Sequence, residues 1–372
     1  MIYLDTAANS KVDIDSLDTF YNACKKYYAN PNSIHKVGLE VKEKIDESTS
    51  IIAKYLGVKK EEIIYTSGAS ESNNLAIFGI ANKYNGKHII TTKLEHSSII
   101  SPLSKLQKEG YDVDFIDTKE DGTIDINTLK DLIRNDTVLI SITSVDSELG
   151  IKENIVEIGE FLKKNYPNII FHTDASQAIG KTSFDFKNVD LVTIAPHKFG
   201  ALNGIGILIK KEGIELEPII YGGKSTTKYR SGTPNAPMII SLACTFKNVF
   251  DNYLQREKHI KELHDYAVNK INDIKGSNIN STPNSIYNTI NFSIRGIVAK
   301  DVMLKLSEKD IYVSTTSACS SDSSYSRVVF SYTRDEELAR SSIRISFNYD
   351  NTKEELDEFF KVLNEIIGEY ND

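Results

Sequence analysis

An α/β fold, with a mainly parallel sheet covered by helices and a smaller α+β region behind it, is predicted by three observations. Strand-like runs at 62–66, 88–92, 113–117, 138–143, 169–173, 191–195 and 205–209 alternate with helix-like segments such as 98–109, 126–134 and 155–164. That alternation is the signature of parallel strands joined by crossover helices, with ligands held at the carboxyl ends of the strands. The last third changes character, with a long helix followed by separated strands and a final amphipathic helix. Finally, 372 residues are more than one core fills, since single cores stop growing near about 250–300 residues. The division expected is a large domain over 15–255 and a small one made of 1–14 and 256–372.

In chain order, Ile2 to Asp5 is a short extended start, and the turn formers of Ala29 to His35 lead into a helix. Val37, Val41, Ile45, Ile52 and Leu56 recur there at helical spacing, and Gly57 stands where a helix is commonly closed by glycine. His35 is either a cap for that helix or part of a site. After the strand Glu62–Thr66 comes Ser67-Gly68-Ala69-Ser70, then a helix through Leu75, Ile77 and Ile80. Small residues between strand and helix leave backbone N–H groups at the positive end of the helix dipole, where a phosphate can sit. The same arrangement also serves as an ordinary turn.

Candidate chemical groups fall just past later strands: Glu95-His96 after 88–92, Asp174 and Gln177 after 169–173, and His197-Lys198 after 191–195. Lys198 follows a buried, β-branched run and precedes the glycines at 200, 204 and 206. A lysine so placed either points to water or is desolvated, and desolvation lowers its pKa and makes the amine nucleophilic. Towards the end, a helix over 254–274 stops at Gly276, and strands are expected at 285–294, 311–314 and 341–347. Thr352 with Glu355 forms a capping box for a last helix whose stripe is Leu356, Phe359, Phe360, Leu363 and Ile367.

Bulk properties narrow the function. A formal charge of -8 leaves no basic footprint for nucleic acid. No apolar run approaches the roughly 20 residues of a membrane span, and the start Met1-Ile2-Tyr3-Leu4-Asp5 has no signal-peptide character, so a cytoplasmic location is expected. The three cysteines, Cys24, Cys244 and Cys319, are too far apart for a disulfide framework or a metal spacing. Cys319 lies in a small, polar stretch from Ser314 to Ser324, unlike a buried structural cysteine. Cys24 and Cys244 sit on helical patterns and read as core or neutral.

An anion cradle near Ala69 and Ser70, an acid at Asp174 and a lysine at 198 together ask for pyridoxal 5'-phosphate. Its phosphate must be held, its ring nitrogen kept protonated and its aldehyde bound by an amine. With these in view, the chain resembles the cysteine desulfurases of the NifS/IscS type, class V members of the fold-type I pyridoxal phosphate enzymes. The resemblance rests on motifs in family order over nearly the whole chain: Ile2 to Ala8, Thr66 to Ser72, His172 to Gln177, His197-Lys198, Arg230 to Thr233, Ser317 to Cys319 and Ser342 to Arg344.

That resemblance implies a seven-stranded, mainly parallel sheet and a role for each residue. Lys198 would hold the coenzyme aldehyde and then act as base at the substrate Cα. Asp174 would pair with the ring nitrogen, His96 would stack on the ring and exchange protons, and Gln177 would bond the ring oxygen. Ala69, Ser70 and His197 would hold the phosphate, and Thr233 would reach the phosphate of a neighbouring subunit, implying a homodimer. Arg344 would grip the α-carboxylate of L-cysteine, or else form a cross-strand salt bridge. Cys319 would take the sulfur as a persulfide, release alanine and pass sulfur to an acceptor protein for iron–sulfur clusters or thiolated tRNA.

Departures from the family pattern are Ser147 where asparagine usually touches the ring oxygen, Ala195-Pro196 where Ser-Gly precedes His-Lys, and a divergent 320–332. The first two each remove about one hydrogen bond, on the order of 1 kcal/mol, which predicts weaker retention of the coenzyme. Other readings open at this level are another class V reaction (selenocysteine lysis, β-elimination or transamination) and a degenerate homologue serving as a scaffold.

Overall fold

The computed structural model describes residues 1–223, 227–315 and 325–370. Its centre is a seven-stranded sheet of β2 (Ile63–Thr66), β3 (His88–Thr92), β4 (Asp112–Ile116), β5 (Thr137–Ser141), β6 (Ile170–Asp174), β7 (Leu191–Ile194) and β8 (Gly206–Lys210). The order across the sheet is β2-β8-β7-β6-β5-β3-β4. From β4 through β7 every pairing is parallel, while β8 runs antiparallel to both β7 and β2. Every residue of β3, β5, β6 and β7 is buried. Helices cover both faces, which is why these strands read as continuous β-branched and apolar runs rather than alternating ones.

Two apolar cores flank this sheet, one around Ile90, Ile140, Phe171 and Val192 and one around Ile89, Leu139, Leu191 and Leu208. A third core belongs to the last third of the chain. There β9 (Ser277–Ile279), β10 (Thr289–Ile294) and β12 (Ser342–Ser346) form an antiparallel sheet in the order β12-β10-β9. Helices Tyr253–Asn272, Ala299–Glu308 and Lys353–Gly368 pack with it around Phe292, Leu263, Val302 and Phe359. Leu4 enters this core, and β1 (Ile2–Tyr3) pairs in parallel with β11 (Ile311–Tyr312), so the chain's beginning is built into its end. The capping box at Thr352 and Glu355 is present.

Two differences from the sequence reading have physical causes. The strand expected over 285–294 begins only at Thr289, because Ser285 bridges Ile151 and the Ile286 N–H donates to the Gly150 carbonyl. Those residues tie the small sheet to the loop after β5 instead of extending β10. The helix Ile14–Lys26 was foreseen only as a helical pattern at Cys24, without bounds or a core-facing side, because it buries Ser16 and Ala23 while exposing Ile14, Leu17 and Tyr21. Its inward face is fixed by polar contacts, with Ser241 Oγ donating to the Ser16 carbonyl at 2.6 Å and Thr245 Oγ1 to Ser16 Oγ at 2.8 Å.

Candidate active site

A cavity of about 390 Å³ opens at the carboxyl ends of the parallel strands. Ala69, Ser70, His96, Ser147, Asp174, Gln177, His197, Lys198 and Arg344, nine of the sequence-predicted residues, line it. Thr233 does not; it is exposed beyond the helix-start residue Asn235. Cys319 lies outside the described residues. Cys24 is exposed and Cys244 half-buried, each on a helix.

Asp174 ends β6 and is buried. Burial alone drives a carboxyl's pKa up, but here it is held below the usual carboxylate value by Ser176 and Asn73, with Lys198 adding its charge. The Ser176 N–H reaches Oδ1 at 2.9 Å and Asn73 Nδ2 reaches Oδ2 at 2.9 Å. Asn73 uses its second N–H on Ser98 Oγ at 2.8 Å, and Ser98 in turn bonds His96 Nδ1 through its backbone N–H at 3.1 Å and its hydroxyl at 2.9 Å. One amide therefore connects the acid to the histidine. Sequence reading passed over Asn73, because it is one of five consecutive polar residues, Ser70 to Asn74, in the first half of the helix Ala69–Ala81 and nothing singles it out. Asn73→Ala is expected to raise the pKa of Asp174 and to weaken coenzyme binding about tenfold, the size of one lost charge-assisted hydrogen bond, as measured by equilibrium dialysis.

His96 caps the helix Ser97–Lys108. Because Nδ1 accepts the Ser98 N–H, the neutral ring carries its proton on Nε2. Burial, then the Lys198 and Arg327 charges, lower its pKa below the ordinary histidine value, against the opposing pull of Asp174. The ring is therefore neutral at pH 7, able to give a proton only after receiving one.

The lysine loop is a short turn, Pro196–Lys198. Ser10 clamps it: its N–H and hydroxyl donate to the His197 carbonyl at 3.0 and 2.7 Å, and its Oγ accepts the Gly200 N–H at 2.7 Å. The His197 side chain is pushed down to about 4 by burial and the nearby Lys198 and Lys181 charges, so it is a neutral donor or acceptor. Opposite, the helix Ala69–Ala81 begins at the cavity wall with Gly68, Ala69 and Ser70. Gly206 presses against Gly68, with a Cβ there only 2.5 Å from the Gly68 carbonyl carbon, so β8 and the cradle need glycine at 206.

Arg344 sits in β12, fully buried. Its Nη2 pairs with Asp5 at 2.7 Å and its Nη1 donates to the Ser147 carbonyl at 2.7 Å, while Nε is buried with no partner among the described residues. The salt bridge fixes the fork, and three of its five N–H groups remain beyond the two bonds given above. Its backbone pairs with Ser314, just before the stretch that holds Cys319. Past that stretch, Ser326 bonds Glu148 and Arg327 Nη2 donates to the Glu95 carbonyl at 2.7 Å. Both flanks of the Cys319 segment are therefore fastened beside Arg344 and His96.

Three buried carboxyl groups lie behind these loops, with Glu95 and Glu153 pushed up by burial to about 8 and Asp146 to about 6. Above about pH 4.5 the unfolded chain ionises its glutamates, while the native chain keeps these protons. The native state then binds more protons, so stability falls as pH rises from about 4.5 towards 8. Glu153→Gln is expected to melt at a higher temperature than the parent at pH 8, the gap closing near pH 5, in scanning calorimetry.

Comparisons with known proteins agree with this geometry. The family model "Aminotransferase class-V" matches residues 2–359, and the chain belongs to that family. Within it, the chain is a member of the NifS/IscS-type cysteine desulfurases. It is 36% identical over 377 residues to the cysteine desulfurase IscS of Dictyoglomus turgidum, covering 98% of this chain and 94% of that one. It is 35% identical over 378 residues to the mitochondrial cysteine desulfurase of Saccharomyces cerevisiae, covering 98% of this chain and 75% of that one. Among solved structures, a NifS-like protein superposes with a TM-score of 0.92 at 30% identity, covering 99% of each chain. SspA in complex with cysteine superposes with a TM-score of 0.83 at 30% identity, covering 95% of this chain and 100% of that one. Membership of this family implies dependence on pyridoxal phosphate. Among the described residues, no helix is long and apolar enough to cross a membrane.

Proposed function

We propose that the protein is a pyridoxal phosphate-dependent cysteine desulfurase that converts L-cysteine to L-alanine, keeps the sulfur as a persulfide on Cys319 and hands it to an acceptor protein. The observation that carries this reading is the meeting, in one cavity, of Lys198 and a buried Asp174 held ionised, with both flanks of the Cys319 segment at its rim.

The residues fit the coenzyme. Asp174 would face the ring nitrogen, Lys198 would hold the aldehyde, and Ala69, Ser70 and His197 would surround the phosphate at a helix N-terminus. Gln177 and Ser147 would lie near the ring oxygen, and His96 against the ring face. When bound, the coenzyme supplies an electron-poor ring that loosens the bonds of an amino acid at Cα.

The chain's own groups do the rest. Arg344, held by Asp5, offers its remaining N–H groups to the substrate carboxylate. Lys198 takes the Cα proton, and His96 receives and returns protons at the substrate. The Cys319 thiolate attacks the substrate sulfur; the carbon–sulfur bond breaks, Cβ gains a proton, and alanine leaves. Arg344→Lys is expected to raise KM for cysteine about tenfold or more with a smaller change in kcat, since a lysine cannot reproduce the planar fork.

The separation of the last third's core from the two that flank the seven-stranded sheet supports the expected division into a large domain over 15–255 and a small one from 1–14 with 256–372. Homodimer formation, with Thr233 serving the partner's phosphate site, is supported by Thr233 lying outside its own cavity and by apolar side chains such as Tyr28 (78% exposed) and Ile34 (93% exposed). A cytoplasmic location and an iron–sulfur scaffold or tRNA sulfurtransferase as acceptor complete the reading. The test is the product list of the coenzyme-loaded protein given L-cysteine. Equal alanine and sulfide in the presence of reductant are expected, whereas pyruvate, or transfer of the amino group to a keto acid, would contradict it.

A further inference from the structure

We infer that Lys181 is a positioning residue for the coenzyme site: its amine pins the carboxamide of Gln177 so that the NH2 end serves the cavity. The inference rests on the reading that Gln177 meets the ring oxygen of the coenzyme. A side-chain amide has two nearly isosteric ends, and its partners decide which end faces a ligand. Here Lys181 Nζ donates to Gln177 Oε1 at 2.5 Å, and Gln177 Nε2 donates to the Ala7 carbonyl at 2.8 Å. Both contacts select the same orientation, since the Ala7 carbonyl can only accept. The amide NH2 has two hydrogens, so one is left after Ala7, and Gln177 lines the cavity.

Lys181 is not a surface lysine that happens to be near. It follows Gly180, whose φ of +75° turns the chain back after Gln177, and its own N–H bonds the Ala178 carbonyl. It lines a small cavity of about 30 Å³ behind the site, which it shares with Lys198. Among the described residues it has no carboxylate ion pair. Burial and the neighbouring Lys198 and Arg344 charges hold its pKa well below the ordinary lysine value.

The test is a double-mutant cycle between Lys181→Met and Gln177→Leu, read as the coenzyme dissociation constant and the position and pH dependence of its visible absorbance band. Lys181→Met is expected to weaken coenzyme binding about tenfold and shift the band in the parent, the scale of one lost hydrogen bond, and to do neither in the Gln177→Leu background. Lys181→Arg, which keeps a donor and can extend into the adjoining cavity, is expected to restore the parental band; it also keeps the test alive if the methionine variant does not fold. Equal effects of Lys181→Met in both backgrounds, or no effect in the parent, would overturn the inference. A Gln177→Leu variant with an unchanged band would instead overturn the Gln177 reading on which it stands.

Discussion

Lys198→Ala is expected to abolish the coenzyme's visible band near the parental wavelength and to lower alanine formation by about a thousandfold or more, the scale lost with a catalytic acid–base group. The reason is double. The amine that would hold the aldehyde is gone, and so is the group that would move the Cα proton. The fold should survive, because the turn that carries the residue is held by the Ser10 N–H and hydroxyl bonded to the His197 carbonyl and by the Ser10 Oγ that accepts the Gly200 N–H. The variant should therefore melt near the parental temperature in calorimetry, while the protein incubated with coenzyme and then freed of unbound coenzyme by gel filtration shows no Schiff-base band. A parental band in this variant would place the coenzyme on another amine.

Cys319→Ser is expected to behave in the opposite way, with the band intact and cysteine turnover reduced to background. A serine hydroxyl at neutral pH is neither ionised nor a sulfur nucleophile, so it cannot accept the substrate's sulfur. The substitution should leave coenzyme binding alone, since the groups proposed to hold it come from β6, the lysine turn and the helix Ala69–Ala81. Binding of cysteine should still perturb the band through Arg344 and the coenzyme. Cys24→Ser and Cys244→Ser should be silent, as both residues sit on helices and neither lines the cavity.

Much of this was legible in the sequence, for identifiable reasons. The buried strands announced themselves through unbroken β-branched runs, and Asp174 and Lys198 through their place just after such runs. Partners were harder to read. Asn73 and Ser98 contact the site from helix starts where other polar residues, Ser70 to Asn74 and Ser97, stand beside them, and Asp5 meets Arg344 across 339 positions of sequence. Ser10 was likewise silent, because a serine in an N-terminal loop gives no sign that it will brace a turn 187 residues away. The bounds and inward face of helix Ile14–Lys26 escaped, beyond a helical pattern at Cys24, because its buried face is serine and alanine, the reverse of the usual amphipathic order. At the departures Ser147 and Ala195-Pro196, the Ser147 carbonyl accepts from Arg344, and Pro196 opens the short turn that presents Lys198.

The central claim is that sulfur leaves cysteine for one thiol of this chain. A single turnover of the coenzyme-loaded protein with cysteine labelled in its sulfur, without reductant, followed by peptide mapping under non-reducing conditions, tests it most directly. The account predicts one labelled peptide, containing Cys319 and heavier by one sulfur atom, with one alanine formed per label. Label released wholly as free sulfide, or found on Cys24 or Cys244 with Cys319 unmodified, would contradict it.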